Sequence, residues 1–324
     1  MATFKELLRA SFKSEDTEEW LDVHFTRPIG LAFALLWIRL GIHPNAITVL
    51  SIFLGLGAGW MFYYPDWQHN LCGVALLMFA NFCDSTDGQM ARLTGQKTLV
   101  GRMLDGFSGD VWFAAIYIAI ALRLMNDTVP GTDVRWGIWI WALVAVAGLC
   151  CHSPQSSLAD YYRQIHLYFL RGKDHAELDN SSQQRAVYEN YKAQKNRVGE
   201  LFFYNYTRYC KSQEHRTPAF QSFFALWRDR IVVRREGKAT PDLEMRLNSV
   251  RQQLLDGSRP LMPMANLLTF NLRAIVVYVS CMADLPWIYP LFEITVMNVL
   301  YVVMHRRHER LCGRLSKTLT SGEH

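Results

Sequence analysis

Four aspartates crowd one largely apolar stretch of this sequence: Asp84, Asp87, Asp105 and Asp110. On a helix, Asp84 and Asp87 are three apart and share a face; Gly101 and Asp105 are four apart and share a face of the next helix. A short turn between the two helices lets those faces meet. Carboxylates near a bilayer are costly and rarely left unpaired. Three or four of them converging require a cation, and hard oxygen ligands suit Mg²⁺, Mn²⁺ or Ca²⁺ rather than zinc. Gly88 and Gly101 remove side chains beside the acids, so a ligand or a neighbouring helix can come close. The competing readings are a transporter's ion path and a helix end that is merely acidic. Transporter sites sit near the bilayer midplane on broken helices. These acids instead fall at an edge, beside Arg92 and Lys97.

The elements that must hold them are helices in a membrane. Half of the 324 residues are hydrophobic, and the apolar residues are blocked into long runs on either side of a polar stretch. The pattern predicts an all-α polytopic protein with six transmembrane helices, over 44–64, 71–93, 99–124, 136–151, 264–282 and 287–304. It also predicts an interfacial helix over 27–42 and a helical insert over 153–263. The expected division is 1–43, 44–152, 153–263, 264–304 and a basic tail over 305–324. The loops 65–70, 125–135 and 283–286 carry one Lys or Arg between them, Arg135, whereas the tail alone holds Arg306, Arg307, Arg310, Arg314 and Lys317. The positive-inside rule then places both termini and the acids in the cytoplasm. Within the insert, 181–196 and 242–256 read as helices, and the aromatic runs 201–204 and 220–227 must pack on something. The net charge of +5 comes without any aromatic-basic motif, which excludes a nucleic-acid binder. The seven cysteines lack metal-site spacing and read as reduced packing residues.

The segment Asp84-Ser-Thr-Asp87-Gly88-Gln-Met-Ala91-Arg92, followed after eight residues by Gly101-Arg-Met-Leu-Asp105, resembles the signature of the CDP-alcohol phosphotransferases, D-x-x-D-G-x-x-A-R-x8-G-x3-D-x3-D. Pro44-Asn45-Ala-Ile-Thr48 is similar to the entry to that family's first span. The resemblance covers roughly 25–165. One position departs from it: the last aspartate should fall at 109, where this chain has Gly109, with Asp110 one residue later. One extra residue turns an α-helix by about 100°, so Asp110 reaches the acidic face only if a π-bulge near Gly106 and Gly109 absorbs it.

The resemblance implies a transferase of the EC 2.7.8 type, with a CDP-linked alcohol as donor and a lipid or polyol hydroxyl as acceptor. It also implies two Mg²⁺ or Mn²⁺ ions, a homodimer and CMP as leaving group. Asp84, Asp87, Asp105 and Asp110 would be the ligands, with Asp105 and Asp110 also catalytic and Asp110 the general base. Arg92 would hold phosphate oxygens, or else serve as a helix-end cation; Gly88 and Ala91 would make room for the cytidine. Asn45 would contact the nucleotide or cap the first span. The expected setting is a bacterial inner membrane. Lys97, Arg102, Arg163 and Arg273 would form a basic pocket for a phosphorylated acceptor such as an inositol phosphate, unless they only face lipid head groups. A ceramide-like acceptor is the alternative product, and a catalytically impaired scaffold is the reading that Gly109 motivates. Asp160 beside Arg163 reads as an ion pair, and His305, His308 and Cys312 as part of a solvated basic tail.

Overall fold

The computed structural model describes residues 3–11, 14, 16–96, 98–236 and 240–320. Among them the regular structure is helical, with one isolated bridge between Thr128 and Arg135. In chain order the helices are α1 (Phe4–Ser11), α2 (Arg27–Arg39, entered through a π-helical turn at Asp22–Thr26), α3 (Pro44–Phe62), α4 (Trp67–Thr94) and α5 (Leu99–Leu124). Helix α6 (Gly137–Ala145) passes through a π-helical segment, Val146–His152, into α7 (Ser153–Arg171). Then come α8 (Ser181–Ala193), α9 (Arg197–Arg216), α10 (Pro218–Arg235), α11 (Pro241–Ser258), α12 (Met262–Leu267) and α13 (Phe270–Met282). Finally α14 (Ile288–Phe292) leads through a second π-helical segment, Glu293–Met297, into α15 (Asn298–Thr320).

Five helical stretches are long and apolar enough to cross a membrane: Pro44–Phe62, Met103–Leu124, Gly137–Arg171, Pro241–Met282 and Ile288–Thr320. The expected second span, inside α4, is not among them. Its 28 residues exceed the length required, but Asp84, Asp87, Gln89 and Arg92 dilute its apolar run.

The chain forms two compact units, Met1–Ser156 with Leu267–Val299, and Ser157–Asn266 with Leu300–His324. In the first, α3 and α5 pack through small residues four apart on α3. A Cβ on Gly55 would lie 1.9 Å from the Trp112 ring, and one on Gly59 would lie 2.8 Å from the Ala115 Cβ. Small residues at this spacing let two membrane helices approach closely. Phe62, Leu77, Trp112, Ile116, Ile120 and Tyr289 fill the core around them. At the end of α5, the Arg123 guanidinium donates to the Phe62 carbonyl (3.0 Å), the Asn70 side chain (3.1 Å), the Pro65 carbonyl (3.4 Å) and the Asp284 carboxylate (2.6 Å).

A second arginine is fully enclosed. Arg273 donates to Glu293 (3.1 Å), Gln155 (2.9 Å), Ser156 (2.8 Å) and the carbonyls of Leu268 and Thr269. Neither Arg273 nor Glu293 exposes more than 1% of its side chain. Arg273 is therefore not a cation offered to an acceptor: its donors are committed to an internal ion pair. The residues that meet it come from α7, the turn between α12 and α13, and the π-helical segment Glu293–Met297.

In the second unit, Phe220, Phe223 and Trp227 of α10 are buried, and so is Phe203 of α9. Leu201 and Tyr204 stay exposed. The expectation of a solvated tail is corrected for its described part, which ends at residue 320. Helix α15 runs on to Thr320 and buries Met304, His308, Leu311, Cys312, Leu315 and Leu319. These recur every three or four residues and make one apolar stripe. Tyr162 stacks on His308 at 4.1 Å between centroids and bonds His305 Nδ1 at 2.6 Å.

Candidate active site

The acids are brought together by the turn between α4 and α5. Helix α4 ends at Gly95, whose φ of +70° is the left-handed conformation that suits glycine after a helix. Thr98 caps α5, its hydroxyl accepting from the Gly101 N–H at 2.9 Å. Four residues thus reverse the chain, and the last third of α4 faces the first third of α5.

Asp84, Asp87 and Asp105 each present an oxygen within 4.8 Å of the other two. Asp87 is 2% exposed, and its Oδ2 is buried with no hydrogen-bond partner among the described residues. Ser108 donates to Asp84 Oδ1 at 2.7 Å. A buried carboxylate oxygen without a donor, set among two more carboxylates, is costly as it stands. A divalent cation with oxygen preference is the group that relieves it. The residues present fit such an ion.

Asp110 does not join this group. Helix α5 is α-helical throughout, so the π-bulge expected near Gly106 and Gly109 is absent. Asp110 is exposed on another face of the helix, where it feels the charge of Arg273. The π-helical turns of this unit lie elsewhere, at Asp22–Thr26, Val146–His152 and Glu293–Met297.

The other expected residues take definite places. The Arg92 guanidinium folds back over Gly88, where an added Cβ would meet it at 3.4 Å, and it interacts electrostatically with Asp87 and Asp105. Ala91 is half-buried on the same helix. Asn45 ties the start of α3 to the start of α5 through its Nδ2–H, which donates to the Thr98 hydroxyl at 3.2 Å. A Cβ on Gly101 would lie 2.6 Å from Asn45 Oδ1, so Gly101 is the close-approach point of this clamp. Capping of α3 falls to His43, which accepts from the Asn45 N–H at 3.2 Å. Of the expected basic pocket, Lys97 lies outside the described residues, as does the side chain of Arg102. Arg163 pairs with Asp160 at 3.3 Å, as that spacing suggested.

Two sets of residues escaped the sequence reading. Ser108, three residues past Asp105 and so on its face, was the more accessible. The other set lies on the back of α4, where Thr86 donates to the Gly30 carbonyl (3.2 Å) and Gln89 to the Arg27 carbonyl (3.2 Å). A Cβ on Gly30 would stand 2.8 Å from the Gln89 amide nitrogen. Helix α2 is therefore seated on the variable positions of the signature, which no spacing in α2 announces.

The fold and these acids define an all-α membrane protein with a cluster of three carboxylates, able to hold a metal, at a helix–turn–helix junction. Residues 41–153 match the CDP-alcohol phosphatidyltransferase family. It is 31% identical over 105 residues to the archaetidylinositol phosphate synthase of Pyrococcus horikoshii, covering 32% of this chain and 50% of that protein. It is 34% identical over 98 residues to the phosphatidylinositol phosphate synthase of Streptomyces avermitilis (30% and 39% covered). With cholinephosphotransferase 1 of Rattus norvegicus it shares 31% identity over 125 residues (35% and 30%). The chain thus spans half or less of the length of each curated relative.

Proposed function

We propose that this chain transfers a substituted phosphate from a CDP-alcohol, such as CDP-diacylglycerol, to an acceptor hydroxyl and releases CMP. The carrying observation is the trio Asp84, Asp87 and Asp105, converged within 4.8 Å around a buried, unpartnered Asp87 oxygen. Those three side chains would hold Mg²⁺ or Mn²⁺. The chemistry such ions supply is neutralisation of the donor diphosphate and of the departing CMP. Arg92, folded over Gly88, holds phosphate oxygens beside them. Asp105, the exposed member of the trio, takes the proton of the attacking hydroxyl. Asp110 stands on another face of α5 and is left outside this step.

Two of the similar proteins are named for inositol phosphate lipids, which favours a phosphorylated polyol as acceptor. In the same reading α4 crosses the membrane as a sixth span. The termini and the acids face the cytoplasm of a bacterial inner membrane, and the working unit is a homodimer. The test incubates purified protein with a panel of CDP-alcohols and acceptors, with Mg²⁺ or Mn²⁺, and scores CMP. Metal-independent CMP release, or full release by an Asp84→Asn variant, rules the proposal out.

A further inference from the structure

The N-terminal segment brings a second arginine to the signature helix. The Arg27 carbonyl is held by Gln89, which lies two residues past Asp87 and three before Arg92. Its guanidinium is gripped in a fork by Glu18, with Nε to Oε2 at 2.7 Å and Nη2 to Oε1 at 2.9 Å. The two side chains are only 14% and 6% exposed. Arg27 and Glu18 both act electrostatically on Arg92, as do Asp87 and Asp105. Glu19 and Asp22 of the same segment accept from Asn271 of α13 at 2.7 and 3.2 Å. An acidic strap thus crosses beside the metal site, and one of its carboxylates fills the fork of an arginine there. A fork that takes a carboxylate in two parallel hydrogen bonds takes a phosphate equally well.

We propose that Arg27 is a phosphate-binding residue of this site and that the Glu18 carboxylate is its resident counterion, displaced when a substrate phosphate arrives. This rests on the transferase reading for its substrate. The ligand chemistry is a phosphate oxyanion, carried by the donor diphosphate or by a phosphorylated acceptor. Glu18 then competes with the substrate for one guanidinium, and the strap loosens as the site fills.

The experiment measures KM for CDP-diacylglycerol and for inositol phosphate separately, in the wild-type chain and in Glu18→Gln, Arg27→Gln and Arg27→Lys variants. The same detergent-purified proteins are titrated calorimetrically with inorganic phosphate. Losing a charged hydrogen-bond partner raises KM about tenfold or more for the substrate that Arg27 serves. Arg27→Gln is expected to do this, with Arg27→Lys recovering part of the loss. Glu18→Gln is expected to move KM and the phosphate affinity the opposite way. The substrate whose KM responds identifies the source of the phosphate. Both variants weakening phosphate binding together, or neither changing it, would mark a purely structural ion pair and overturn the proposal. A wild-type chain that releases no CMP defeats the transferase reading, and the phosphate titration still decides on Arg27.

Discussion

Two polar clusters lie within the same helical unit and obey opposite rules. At Arg273 and Glu293 the charges are opposite, fully enclosed and ringed by Gln155, Ser156 and backbone carbonyls. At Asp84, Asp87 and Asp105 the charges are alike, and one buried oxygen has no hydrogen-bond partner among the described residues. The first cluster is complete without a ligand, and the second is not. Burial of charge alone therefore does not mark a functional site; incomplete burial chemistry does.

The contrast can be broken at either end. The largest effect is expected from Asp105→Asn, with CMP release falling at least about 10⁴-fold because the proposed ion would lose a ligand. Its melting temperature in chelator should stay level or rise, since like charges no longer face each other. A drop in that temperature would show the trio to be structural. Next, Arg273→Met strands a buried carboxylate and should cost about 3–5 kcal/mol in thermal or denaturant unfolding. The double variant Arg273→Met/Glu293→Leu should regain most of it, and failure to regain it would give the pair a role beyond charge balance. Asp110→Asn should leave both turnover and Mn²⁺ binding at the trio by calorimetry near wild type, whereas a loss of turnover of about a hundredfold, the range of general-base removal, would return Asp110 to that role. Loss of both together would move Asp110 into the ligand set. The smallest effect on stability is that of Asn45→Ala, about 1 kcal/mol from one clamp hydrogen bond. Its KM for the CDP-alcohol should hold, whereas a large rise would restore Asn45 to nucleotide contact.

The acid trio was legible because its logic is local: spacings of three and four, and a turn bounded by Gly95 and Thr98. Helix α3 was legible for the same reason, from Pro44 at its first turn. Arg273 was not. Its sequence neighbours are apolar, and the glutamate that neutralises it lies beyond a turn, on a different helix. The buried stripe of α15 was obscured by the arginines on its other face. Gly109 misled through register: the sequence offered an acid one residue late, and the helix did not bend to admit it. Nothing in α2 showed that Gly30 and Arg27 would rest on the signature helix, because their partners Thr86 and Gln89 sit at positions the motif leaves open.

Arg123 gives the trio a mechanical setting. One guanidinium rivets the end of α3, the start of α4, the end of α5 and the turn after α13, while the acids sit towards the opposite tips of α4 and α5. The turn after Gly95 and the Asn45–Thr98 bond fasten the same helices at the acid end. Asp105 stands about 27 Å from the rivet at 1.5 Å per residue, and a tilt of about 2° over that arm would move its carboxylate by about 1 Å. Fastening at both ends suppresses such a tilt, so the spacing of the acids is preset by the joints rather than by the rods between them.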